Sequence, residues 1–141
     1  MNFKLKYYKN EAAKTTLADS DPYQVIQLLM AGTMDSLSLA KGAIERNDYE
    51  TKGKALAQAT TIIESLRASL DFKASAEISQ NLHDLYTYML DRLVEATVAR
   101  DSVIIEEVAD IFREIKSAWD MLPPEARQDA EKQRMQLASG E

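Results

Sequence analysis

His83 is the only histidine in the chain, and it is the residue type best suited to proton, metal or phosphoryl chemistry near neutral pH. At helical spacing its neighbours are Ser79, Gln80 and Thr87, which place it on a polar face. One reading is a solvated surface residue. The other is a phosphoacceptor of the histidine phosphotransfer type, carried on a four-helix bundle. Such domains usually have a Lys and small residues just after the histidine, whereas here the chain continues Asp84-Leu85-Tyr86-Thr87. A di-iron bundle needs Glu-x-x-His on two helices. A single histidine cannot supply both, and Gln80 stands where the Glu would be. Glu64, Glu77, Glu95, Glu106 and Glu107 read as solvated faces or surface pairs. There is no phosphate-binding glycine loop and no nucleophile elbow. The reading is therefore of a protein that is not an enzyme and uses no metal or cofactor.

Composition narrows the remaining classes. A chain of 141 residues is one domain's worth and can bury a core without staples. The absence of Cys removes disulfides and thiolate zinc sites. A net charge of −6 and a pI near 4.9 argue against nucleic acid, which needs a basic face. No apolar run approaches the ~20 residues of a membrane helix, so no membrane insertion is expected. The lysines of the first 14 residues precede no apolar stretch, unlike a signal peptide, and the cytosol is the expected compartment. Gly and Pro are scarce and good helix formers abundant.

Four amphipathic helices follow from the periodicity. Residues 1–19 are polar and lysine-rich apart from Tyr7 and Tyr8, and read as a flexible arm. A first helix starts at the Asp21-Pro22 signal, with Gln24 able to close a capping box, and runs to Ile44. Asn47-Asp48 stops it and caps a second helix over about 49–70. A third is expected over about 75–99 and a fourth over about 102–121, the latter ended by Pro123-Pro124. Short connections make neighbours antiparallel. The expected fold is all-α: an up-down-up-down four-helix bundle over 20–122, followed by a polar tail or short fifth helix over 123–141.

Projection at ~100° per residue separates the helices. The second carries a compact apolar arc of roughly 120°, enough for one core stripe. The first spreads Val25, Ile26, Leu28, Leu29, Met30, Met34, Leu37, Leu39 and Ile44 over roughly 240°. Leu90 and Val94 lie off the centre of the third stripe, and Ile105 off the fourth. Such a surplus is covered either by the chain's own arm and tail, by a second copy, or by a partner helix laid into a groove.

Particular strings give the partner reading a candidate. Asp21-Pro22-Tyr23-Gln24-Val25-Ile26 followed by Leu29-Met30-Ala31-Gly32 resembles the opening of the flagellar secretion chaperone FliS family. Asn47-Asp48-Tyr49-Glu50 is similar to that family's first turn, and Ala55 to Leu70, ending Leu70-Asp71-Phe72, to its second helix. The most specific piece is Glu77-Ile78, Asn81-Leu82, Leu85-Tyr86, Tyr88-Met89, Arg92-Leu93 and Glu95-Ala96. Ala118-Trp119 matches the end of the fourth helix, and Tyr8 an N-terminal tyrosine. Departures are Ala31 for an acidic residue, Ser75-Ala76 for a glycine pair, and Thr97 for Asn. The resemblance implies a cytoplasmic type III export chaperone that binds the disordered C-terminal segment of flagellin, prevents premature polymerisation and presents the subunit to the flagellar export gate.

The groove candidates are Ile26, Met30 and Met34 on the first helix, Leu90 and Val94 on the third, and Ile105 and Trp119 on the fourth. Tyr7 and Tyr8 are expected to cover part of that groove in the free protein. The expected assembly is a monomer or weak dimer. The alternatives are a phosphotransfer bundle using His83 and a purely structural dimeric adaptor.

Overall fold

A computed structural model describes residues 21–73 and 75–127. Within them lie four long helices: α1 (Pro22–Glu45), α2 (Tyr49–Ala68), α3 (Ala76–Ala96) and α4 (Val103–Asp120). No strand occurs among the described residues.

The boundaries follow from local chemistry. The Asp21 carboxylate accepts from the amides of Tyr23 (3.0 Å) and Gln24 (3.4 Å), with Pro22 at the first helical position where no amide is needed. At the other end of α1, Asn47 takes a left-handed φ of 56°, which Asn tolerates better than most residues. That turn lets Asp48 N reach Ala43 O (2.8 Å) and Asn47 N reach Ile44 O (3.0 Å), a Schellman closure. Asp48 then caps α2 through Thr51 N at 3.1 Å. A reversal of helix direction is thus completed within three residues, 46–48.

The third helix is shorter than its periodicity suggests. It stops at Ala96 because the nearly fully buried Lys52 of α2 captures the carbonyls of Thr97 (3.3 Å) and Ala99 (2.5 Å). Ser75 caps its start, and the Ser79 hydroxyl donates to Asp71 O (2.8 Å), tying the α2–α3 connection to α3. For α4 the capping carboxylate is Asp101, which accepts from Val103 N at 3.1 Å. Residues 124–127 form one further helical turn.

Each helix packs on two neighbours: α1 on α2 and α4, α3 on α2 and α4. This closed antiparallel ring surrounds a core that includes Leu37, Leu56, Ile63, Met89, Leu93 and Phe112.

Two expectations about packing need correction. Ile105 is not off the core stripe: it is 1% exposed. Helix α4 carries two adjacent apolar lines, and it is rotated so that Ile105, Val108 and Phe112 point inward while Ile104, Ile111 and Ile115 flank them. The surplus on α1 is also smaller than its projection. Gly32, Thr33, Ser36, Ala40 and Ala43 are buried small residues that let neighbouring helices approach closely, so the covered arc is wide. Leu29 and Met34 pack against the core from its edge, and Leu39 remains exposed.

Candidate binding groove

The apolar surface left open lies between α3 and α4, at the end of the bundle where α1 and α3 begin and α2 and α4 finish. Its floor is Ile26 and Met30 of α1 with Leu66 of α2. One wall is Ile78, Leu82 and Tyr86 of α3; the other is Ile115, Ala118 and Trp119 of α4, extended by Leu122. Together they enclose a cleft of about 570 Å³ that remains open to solvent. Ile78 is 61% exposed, although it belongs to the same apolar stripe as the buried Met89 and Leu93. An apolar side chain standing half in water on the lip of an apolar cleft suits a protein-binding surface.

The groove ends where α3 and α4 are clipped together. Glu107 of α4 accepts from the Tyr88 hydroxyl (2.7 Å) and from Arg92 Nε (2.9 Å) and Nη2 (3.3 Å). Arg92 also pairs with Glu95. The Tyr88 and Arg92 hydrogen bonds draw the Glu107 carboxyl below the usual carboxylate range. Beyond this clip, towards Leu122, no ion pair joins α3 to α4 among the described residues. By antiparallel register Leu82 lies level with Ile115 and Ile78 with Trp119. The open stretch of α3, from Ile78 to Tyr86, spans about 12 Å at 1.5 Å per residue.

The mouth is fixed by a reciprocal latch. The Tyr23 hydroxyl donates to Trp119 O (2.7 Å), and Trp119 Nε1 donates to Tyr23 O (3.3 Å). Their rings stack at 5.1 Å, and the Arg127 guanidinium lies over the Tyr23 ring, 4.3 Å from its centroid. Asp120 anchors the same corner, accepting from Gln27 Nε2 (3.0 Å) and Lys116 Nζ (2.5 Å). At the inner end, burial pushes the Tyr86 phenol up to about 12, so it remains a neutral hydroxyl.

Of the seven groove candidates, the structure brings Ile26, Met30 and Trp119 together in the cleft. Met34 sits a turn further along α1 against the core. Leu90 is buried in the core, Val94 is 68% exposed towards the opposite end of α3, and Ile105 is core. Sequence reasoning missed Ile78, Leu82 and Leu122. Ile78 and Leu82 lie on a regular core stripe, and periodicity cannot say where a neighbouring helix diverges from it. Tyr7 and Tyr8 lie outside the described residues. His83 is half-buried, its ring edge-on to Phe72 at 6.2 Å and its Nδ1 3.8 Å from Asp84 Oδ1. No group of three His, Cys, Asp or Glu side chains able to hold a metal occurs among the described residues. No described helix is long and apolar enough to cross a membrane.

Residues 4–126 match the family described as flagellar protein FliS. The flagellar secretion chaperone FliS of Vibrio cholerae is 36% identical over 125 residues, covering 89% of this chain and 92% of the relative. The flagellar secretion chaperone FliSB of Pseudomonas aeruginosa is 39% identical over 116 residues, covering 82% and 92%. The Salmonella typhimurium FliS is 35% identical over 123 residues, covering 86% and 91%.

Proposed function

Since this chain belongs to the FliS family of flagellar proteins, and its relatives are named as secretion chaperones, we propose that it is a flagellar secretion chaperone whose client is the disordered C-terminal segment of flagellin. The segment docks as an amphipathic helix in the groove between α3 and α4. This happens in the cytoplasm, where it withholds the segment from premature polymerisation and keeps the subunit ready for the export gate. The protein acts as a monomer or weak dimer, and the Tyr7–Tyr8 arm competes for the groove in the absence of client.

The observation that carries this reading is the cleft of about 570 Å³ with apolar walls on two helices and Ile78 standing exposed at its lip. A terminal segment of a filament subunit is an apolar helix former without its packing partners. Burying roughly 1,500 Å² in total would offset the cost of ordering it. The phosphotransfer alternative draws no support from His83, whose ring is packed on Phe72.

Titration with a synthetic flagellin C-terminal peptide tests the proposal. Helicity should rise on mixing. Ile78→Glu should weaken binding at least tenfold, because burial of one Ile is worth about 1.5–3 kcal/mol and a buried carboxylate costs more. Its melting temperature should stay within about 3 °C of wild type, since the side chain is mostly in water already. Absence of any peptide binding by the wild-type protein would refute the client assignment.

A further inference from the structure

Helix α4 runs into two prolines, and neither can donate an amide to the turn before it. By α-helical spacing the carbonyls of Trp119 and Asp120 would accept from residues 123 and 124, which are Pro123 and Pro124. Both carbonyls therefore need donors from elsewhere. Trp119 O receives the Tyr23 hydroxyl at 2.7 Å and Leu122 N at 3.2 Å. Asp120 O receives Arg127 Nη2, more weakly, at 3.5 Å. The same guanidinium donates from Nε to Leu122 O at 2.8 Å. Arg127 thus reaches back across the prolines and clasps the end of α4.

The two side chains that serve this end also meet each other. The Arg127 guanidinium covers the Tyr23 ring at 4.3 Å, and that ring stacks on Trp119 at 5.1 Å. Trp119 and Leu122 line the outer end of the groove, whereas Tyr23 and Arg127 do not. Arg127 therefore stands behind the wall that a client touches. Its partners there are two backbone carbonyls and a ring face, which call for a planar fork rather than a point charge.

We propose that Arg127 is a positioning residue for client binding. It acts through the Tyr23–Trp119 latch and the Leu122 backbone, and it sets the outer wall of the groove before the client arrives. This rests on the flagellin-segment reading above and adds to it a residue that prepares the groove without lining it. A wall already in place spares the client the cost of ordering it. Without the clasp, the chain around Leu122 is held by fewer contacts, and apparent affinity falls with the fraction of molecules whose wall is seated.

The test is peptide titration and stopped-flow binding with full-length wild type, Arg127→Ala, Arg127→Lys and a charge control, Lys54→Ala, on the exposed face of α2. For Arg127→Ala, affinity should fall about three- to tenfold, the loss expected when the seated fraction drops to between about a third and a tenth. The fall should appear in the association rate and be equal at low and high salt. Arg127→Lys should lose nearly as much, because an ammonium cannot fork two carbonyls and cover a ring together. In the free Arg127→Ala protein the near-ultraviolet circular dichroism of Trp119 should weaken while far-ultraviolet helicity stays at the wild-type level. Unchanged affinity in Arg127→Ala would overturn the proposal, as would wild-type behaviour of Arg127→Lys. A loss confined to the dissociation rate would make Arg127 a client contact and overturn the positioning role. An equal loss in Lys54→Ala would reduce the effect to bulk charge and overturn it too. If wild type binds no peptide, the client reading falls, and an unchanged Trp119 spectrum in Arg127→Ala would separately remove the positioning role.

Discussion

Lys52 carries a charged ammonium into a position that is almost fully buried, and the structure gives the reason. Its Nζ bridges the carbonyls of Thr97 and Ala99 just past the end of α3 and lies 5.8 Å from the Tyr49 ring centroid. The last carbonyls of a helix lack intrahelical donors, and a cation there also meets the negative end of the helix dipole. One side chain of α2 thereby fixes where α3 stops. Lys52→Met keeps the aliphatic stem and leaves the carbonyls without their donor. We expect a loss of about 1–3 kcal/mol, read as a fall in melting temperature of roughly 4–10 °C. A melt indistinguishable from wild type would show that water replaces the ammonium without cost. At this scale the sequence was least legible. Lys52 sits between Thr51 and Gly53 with nothing to mark it as buried. Val94 and Ile105 illustrate the same limit: both are β-branched residues beside a core stripe, one ending in water and the other in the core. A rotation of a helix by a few tens of degrees decides between them, and local periodicity does not record that rotation.

Element boundaries were far more legible, because caps are local chemistry. Asp21 with Pro22, the Asn47-Asp48 turn and the double proline all act where their side chains predict. The exception, the early end of α3, comes from a residue 45 positions away in sequence. The joint between α3 and α4 is likewise non-local, and its behaviour with pH follows from Glu107. Hydrogen bonds from Tyr88 and then Arg92 hold that carboxyl below its ordinary range. A carboxylate with a lowered folded-state pKa contributes stability that is fully present above its unfolded value, near 4, and is lost as pH falls through the folded value. The clip should therefore be unaffected from neutrality down to about pH 5 and should weaken below about pH 4. Glu107→Gln should flatten the acid limb of a stability-against-pH curve in that window. An unchanged acid limb would show that the clip is silent in the folding equilibrium.

At the scale of the whole molecule, an antiparallel bundle was readable from periodicity and connection length, but the position of its opening was not. The first helix has the widest apolar projection, yet small residues on α1 allow it to be enclosed, and the opening falls between α3 and α4 instead. A groove is a property of two helices diverging, and no single helix encodes it. That placement sharpens the expectation for residues 1–14. If the arm bearing Tyr7 and Tyr8 competes with client for the groove, the measured affinity is the intrinsic one reduced by the fraction of molecules whose groove is free. An arm seated nine-tenths of the time would lower affinity about tenfold, and deleting residues 1–14 should restore that factor, mostly by raising the association rate. Trp119, the only tryptophan, lines the cleft and offers a second readout independent of client. Its emission in the free protein should shift to the red on deletion, as an apolar covering is replaced by water, and return towards the blue when peptide is added. Equal affinity and an unshifted spectrum in the deleted protein would mean that the arm leaves the groove empty. The opening between α3 and α4 would then be held in water by the Tyr23–Trp119 latch and the Glu107 clip alone, rigid enough to resist collapse without a guest.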